Sequence, residues 1–216
     1  MRQTESLRRC LIAIALAMAL LAWPAAGDAQ LGGLLPSPTT STTPTVVGNA
    51  SAAQVSVLGI LGTATTTALA GTGTLSGVND ARDASTVTGS IPFLSAETLS
   101  AATISWVDQV DSFASLANLN MTVAGIGITA DSVLAQASQV LGAAGSGSST
   151  LSNLSINGTP ITVTGAPNQT IWVPGGQVII NEQTISPTGT AVVNAVHVAI
   201  TGVADVVIAS ATAGIS

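Results

Sequence analysis

The stretch VIINEQTISPTGTAVVNAVHV, residues 178–198, decides the fold. Two runs rich in Val and Ile flank a Pro–Gly turn, the pattern of a strand, a turn and a second strand. Each run has a polar interruption: Asn181, Glu182 and Gln183 in the first, Asn194 and His197 in the second. His197 is the single histidine of the chain. In a strand the side chains alternate between faces. Strict alternation puts Asn181 and Gln183 on one face and Glu182 with Ile180 on the other. In the second run it sets Val192, Asn194, Val196 and Val198 opposite Val193, Ala195 and His197. Asn194 and His197 are therefore expected to point to different sides, while Glu182 and His197 can meet across the hairpin. A Glu–His pair without a nucleophile, a metal or a cationic anchor is a poor catalyst. Buried polar groups without partners cost roughly 1–3 kcal/mol each. The expectation is a structural polar cluster of Asn181, Glu182, Gln183, Asn194 and His197, with no catalytic residue and no cofactor.

The same grammar runs along the chain. In LSNLSINGTPITVTG, Leu154 and Ile156 lead into Asn157–Gly158, and Ile161 and Val163 lead out. Asn–Gly between alternating runs marks a hairpin, because both residues accept positive φ. TIWVPGGQVII is a second hairpin with Pro174, Gly175 and Gly176 at its tip, and residues 190–212 form a third, turning near Thr201–Gly202. In TLSAATISWV (98–107), Ile104 and Trp106 share a face. Residues 130–142 fit both helical and strand spacing, and their strand-like neighbours favour strand. Many short strands and no internal repeat lead to an all-β fold, an antiparallel β-sandwich of two packed sheets.

The N-terminus reads as an export signal. Arg2, Arg8 and Arg9 precede the thirteen-residue apolar run Leu11–Trp23, and PAAGDAQ follows with small residues suited to a signal peptidase. A spanning helix needs roughly 20 apolar residues, so no transmembrane anchor is expected. Cleavage after Ala29, with Gly27 as the alternative, removes Cys10, the only cysteine, leaving a chain without disulfides or thiolate ligands. Residues 1–29 are thus a secretory signal peptide, 30–53 a leader rich in Pro, Ser, Thr and Gly, and 54–216 one β-sandwich domain. Within the leader, the Val-Val-Gly run can pair as an edge strand.

From residue 30 onward Arg82 is the only basic side chain besides His197, against Asp80, Asp83, Glu97, Asp108, Asp111, Asp131, Glu182 and Asp205, so one minus eight gives a formal charge of −7. Phosphate backbones are bound by clustered Lys and Arg, and the chain has no lysine; nucleic acid is excluded as a partner.

The C-terminal half resembles the choice-of-anchor P family of secreted bacterial proteins. GSSTLSNLSINGTPITV is similar to that family's small-residue run and Asn–Gly hairpin. APNQTIWVPGGQVIINEQ resembles its Pro–Gly hairpin ending in Asn-Glu-Gln, and VVNAVHVAITGVADVVIASATAGI its Asn-Ala-x-His-Val strand and closing strand. LNMTVAGIGITADSVLAQA is similar to a weaker upstream stretch. The resemblance covers roughly residues 54–214 and implies an extracellular or cell-surface β domain; it brings no activity with it. The sequence closes at Ser216 without a sorting motif of the LPXTG or PEP type, so a freely secreted or non-covalently held protein is expected.

Other chemistry has little to stand on. The run GSGSS (145–149) is a small-residue loop and not a strained nucleophile elbow. Zinc needs three or four ligands, and one His without cysteine does not supply them. The acidic runs NDARD (79–83) and DQVD (108–111) lack the alternate spacing of a calcium loop and read as solvated loops, Arg82 making a weak surface pair. Five Asn-x-Ser/Thr triplets, at Asn49, Asn120, Asn153, Asn157 and Asn168, are what this composition produces by chance. Among four aromatics after residue 29, Trp172 beside its Pro–Gly turn is the one candidate ligand contact, although capping the core is the commoner use of such a residue. The expected function is a secreted, non-enzymatic β-sandwich with a structural or cell-surface interaction role. The alternative is a module binding extracellular carbohydrate or envelope polysaccharide. Self-association through sheet edges is a further expectation, because few charges guard them.

Overall fold

The computed structural model describes residues 43–58, 64–91 and 93–216. The expected signal peptide, and the expected leader up to residue 42, lie outside them. Thirteen strands follow one another in the described residues, with no helix among them: β1 (Val46–Leu58), β2 (Ala64–Gly71), β3 (Ala81–Ile91), β4 (Leu94–Ser105), β5 (Gln109–Val123), β6 (Ile126–Val140), β7 (Ser146–Ser152), β8 (Ser155–Ile156), β9 (Thr159–Pro160), β10 (Gln169–Val173), β11 (Gly176–Ile185), β12 (Ala191–Ile200) and β13 (Ala204–Ile215). Sheet A has the order β10-β11-β12-β13-β1-β2. Sheet B has the order β3-β4-β5-β6-β8-β9, with β7 also paired to β6. All pairings are antiparallel. The two sheets pack face to face as a β-sandwich.

The turns are those the sequence marks. Asn157 (φ 50°) and Gly158 (φ 74°) join the short β8 and β9, and Pro174–Gly175 joins β10 to β11, with Gly175 at φ 77°. A type I′ loop needs positive φ at both residues, as at Asn157–Gly158, whereas the proline ring holds Pro174 at negative φ and leaves the left-handed position to Gly175 alone. Ala124 (φ 50°) and Gly125 (φ 80°) make the same turn as Asn157–Gly158, between β5 and β6. The segment 130–142, open to two readings, lies mostly in β6.

The boundary expected at residue 54 falls inside a strand and is corrected. β1 starts at Val46 and lies between β13 and β2 in the interior of sheet A. Its Gly-Asn-Ala-Ser-Ala run resembles a spacer because the residues are small. At Gly48 close packing leaves no room for a side chain: a Cβ there would collide with Leu75 and Thr103. Gly147 in β7 has the same cause, with the Val193 side chain filling the place of its missing Cβ.

β12 and β13 lie against β6, β13 and β1 against β5, and β1 against β4. The core between them is aliphatic. Val178, Ile180, Val196, Val198, Val206 and Ile208 of sheet A meet Leu99, Val110, Ile128 and Val133 of sheet B, all at most 1 % exposed. Full burial of such a side chain contributes roughly 1.5–3 kcal/mol. One buried polar side chain ties the sheets at an end: Gln139 of β6 donates from Nε2 to the carbonyls of Ala143 and Thr188 (both 3.0 Å), and its Oε1 accepts from Ile215 N (2.9 Å).

A crease crosses both sheets. In sheet A, Asn181 (φ 53°), Ala209 (φ 51°) and Ala70 (φ 47°) hold left-handed backbone within strands. Ala195 and Ala52 stand between them on β12 and β1, so the five positions form one line. Sheet B carries Thr98 (φ 51°), Asn118 (φ 50°) and Asn153 (φ 51°) along a corresponding line. Along this line the alternation of faces slips by one residue, at the left-handed Asn181 and Ala209 and equally at Ala195 and Ala52 beside them, much as at a β-bulge. Two successive residues then point inward in sheet A: Ile180 and Asn181, Ala195 and Val196, Ile208 and Ala209, Ala52 and Ala53, all buried.

Candidate functional site

The crease builds the polar cluster. On either side of it, consecutive outward residues are three apart instead of two. Asn194 and His197 of β12 therefore stand on the same, outer face of sheet A, which overturns the opposite faces expected from strict alternation. The same break corrects the first run: Ile180 and Asn181 point inward and Glu182 points outward, so Glu182 does not share a face with Ile180. Glu182 lies opposite Asn194 in the register and diagonal to His197, whose own partner is Ile179.

The distances close around one carboxylate. Asn194 Nδ2 donates to Glu182 Oε2 at 2.6 Å, and His197 Nδ1 is 3.0 Å from both Glu182 oxygens. The other ring nitrogen, Nε2, is 2.9 Å from Asp205 Oδ2 on β13. Both nitrogens face acceptors only, so both are satisfied when each carries a proton. His197 and Glu182 side chains are 18 % and 24 % exposed, Asp205 59 %. Partial burial is the largest single influence on His197 and opposes its charged form. The hydrogen bonds to Asp205 and Glu182, with the charges of those carboxylates, outweigh it and raise the imidazole pKa above its ordinary value. The arrangement is an imidazole on β12 clamped between a carboxylate of β11 and one of β13, both of which favour its charged form.

The five residues of the expected cluster do not form one group. Glu182, Asn194 and His197 meet; Asn181 and Gln183 lie on the inner side of β11. Asn181 is 2 % exposed and donates from Nδ2 to Gly165 O at 3.0 Å, while its Oδ1 accepts from Gln183 Nε2 at 2.8 Å. Its backbone carbonyl accepts from Asn168 N at 2.9 Å. This second cluster pins the segment before β10. Asp205 completes the outer cluster and was missed. The signal for it was the Thr201–Gly202 turn, which sets Ala199 opposite Asp205 and His197 diagonal to it.

The remaining candidates are dispersed. Ser146–Ser149 belong to β7 in sheet B, whereas His197 lies on the face of sheet A turned away from that sheet. Ser149 Oγ is buried and without a hydrogen-bond partner. Asp80 is held by Ser76 N and Ser76 Oγ, both at 2.8 Å, and by Arg82 Nε at 3.1 Å. The backbone donor of Ser76 is the main cause, with the Ser76 hydroxyl next, of its pKa falling to about 2. In the other acidic run Asp111 accepts from Gln109 Nε2 at 2.8 Å. Among the described residues no three His, Cys, Asp or Glu side chains are grouped as a metal ion would need. A depression of about 400 Å³ beside Leu154, Ser155 and Ile161 includes no charged side chain in its lining. Trp172 does not cap the core: it stands outward on the edge strand β10, 79 % exposed.

No family model, curated protein or solved structure matches this chain. Among the described residues no helix is long and apolar enough to cross a membrane.

Proposed function

We propose that the chain is a secreted, non-enzymatic β-sandwich with a structural or cell-surface interaction role. The observation that carries this reading is the saturation of His197. Its two ring nitrogens are taken by Glu182 and Asp205, so neither is free to serve as a base. General acid–base catalysis needs a titrating atom within reach of substrate. Here the titrating group is spent on holding β11, β12 and β13 together. Export is supported by the basic and apolar N-terminal pattern, and the surface role by the resemblance to the choice-of-anchor P family. Glu182→Ala and His197→Ala each test the reading. Both variants lower the melting temperature if the cluster is structural. A variant that keeps wild-type stability yet loses a hydrolytic activity of the wild type overturns it.

A second reading, a carbohydrate-binding module, is favoured by one feature. Trp172 presents a 79 % exposed indole on an open sheet face. An amphipathic ring of this kind is a common anchor for recognition.

A further inference from the structure

One lateral row of the outer face of sheet A brings together side chains of complementary chemistry. Trp172 on β10 stands opposite Gln177 on β11, which is opposite Ala199 on β12, and Ala199 is opposite Asp205 on β13. The row continues to Ser56 on β1 and Thr66 on β2, whose hydroxyls are 2.9 Å apart. Neighbouring strands stand roughly 4.8 Å apart, so the indole and the carboxylate are about 14 Å apart across the sheet. Between them the floor is low: an amide, then a methyl group.

The geometry points to this row as the binding site of a short, extended, uncharged oligosaccharide, one end of which stacks on Trp172 while its hydroxyls bond to Gln177 and Asp205. The inference rests on the carbohydrate-binding reading above and adds the residues and the ligand class.

A sugar ring has an apolar C–H face and a polar rim. The indole supplies a rigid apolar face with few rotatable bonds, so little entropy is lost on stacking. Asp205 supplies an acceptor already in place. His197 holds one of its oxygens at 2.9 Å and is itself held by Glu182, yet the Asp205 side chain stays 59 % exposed. An acceptor fixed before binding loses less on ordering than a free one. The spacing between strands is close to the length of a sugar ring, so successive rings can address successive strands. Twist sets the length. Each strand is rotated by roughly 20–25° from the next, and a flat glycan ribbon follows such a surface for only a few rings. Charge sets the class. Residues 30–216 carry eight carboxylates and one arginine, and Arg82 lies on β3 of the other sheet. A polyuronate or a phosphorylated polymer meets repulsion and finds no cationic fork on this row.

The test is calorimetric titration of the purified chain with cellohexaose, laminarihexaose and chitohexaose, with alginate as the anionic counterpart and light scattering for mass. At least one neutral hexaose binds and alginate does not. Trp172→Ala weakens binding about tenfold or more, and Trp172→Phe keeps most of it. Asp205→Asn weakens binding about threefold or more. Trp106→Phe, off the row, changes nothing. Absence of binding to all three hexaoses overturns the carbohydrate reading and this inference together. Binding that Trp172→Ala abolishes but Asp205→Asn leaves intact keeps the carbohydrate reading and refutes the row. Alginate binding as tightly as the neutral sugars refutes the ligand class. A doubled mass that Trp172→Ala returns to monomer makes this face a contact between copies and overturns the inference.

Discussion

Asn194 and His197, three residues apart on one strand, reach the same carboxylate: Glu182 accepts from Asn194 at 2.6 Å and stands 3.0 Å from His197 Nδ1. In a regular strand that spacing sends two side chains to opposite faces. The crease through Asn181, Ala195 and Ala209 brings them together. Glu182 is thus the shared anchor of the outer cluster, and its removal strands two partners at once. Glu182→Ala is expected to cost roughly 1–3 kcal/mol, which for a domain of this size lowers the melting temperature by several degrees. Asn194→Ala, which removes one of the bonds, costs less. Thermal melts of the three proteins rank them; equal melting temperatures would refute the shared anchor.

The raised pKa of His197 makes stability depend on pH with a definite sign. The folded chain holds the imidazole proton more tightly than the unfolded chain, because Glu182 and Asp205 bind the charged ring. The stabilisation is fully present below the ordinary imidazole pKa. It is lost as pH rises through the higher folded value. Melting temperature is expected to fall across this interval in the wild type, and the His197→Asn variant should lack the step. A wild-type profile that rises through the interval contradicts the clamp.

Asn181 separates backbone strain from hydrogen bonding. Its φ of 53° is comfortable for Gly and tolerable for Asn, but costly for Ala. Its side chain also holds Gly165 O at 3.0 Å. Asn181→Gly loses only the bonds; Asn181→Ala loses the bonds and meets the strain, roughly 1–2 kcal/mol more. Chemical denaturation is expected to order them wild type, Gly, Ala. A more stable Ala variant argues against left-handed backbone at this position.

Gln139 closes one end of the sandwich. Replacing it by Leu fills the space but leaves Ala143 O, Thr188 O and Ile215 N without their partner. The buried Ile215 amide so orphaned costs roughly 1–3 kcal/mol, whereas the carbonyls of the exposed Ala143 and Thr188 can turn to water. Gln139→Leu is expected to lower the melting temperature, and hydrogen exchange at the Ile215 amide should quicken. Unchanged exchange there would show that the end of β13 is held by other contacts.

Export is checked by mass spectrometry of culture supernatant. The expected chain begins at or near Gln30 and lacks Cys10. An intact Met1 terminus confined to the cytosol refutes the signal.

By itself the sequence determined the local grammar of this protein. Asn157–Gly158, Pro174–Gly175 and Thr201–Gly202 mark hairpins because turn chemistry is settled by the residues in the turn. The β-branched runs between them give strands, and many strands give a sandwich. Asn181, Asn118 and Asn153 even hint at the crease, since Asn tolerates left-handed backbone. Ala70, Ala209 and Thr98 give no such hint. The crease is a property of a row that crosses five strands of sheet A, and each left-handed residue on it is bracketed by paired neighbours on adjacent strands. Only tertiary structure assembles that row. It decided that β1 is an interior strand, that Asn194 and His197 share a face, and that Asp205 completes their cluster. The physical reason is range: a turn is set by adjacent residues, whereas the face a side chain takes beyond an irregularity is set by strands far away in sequence.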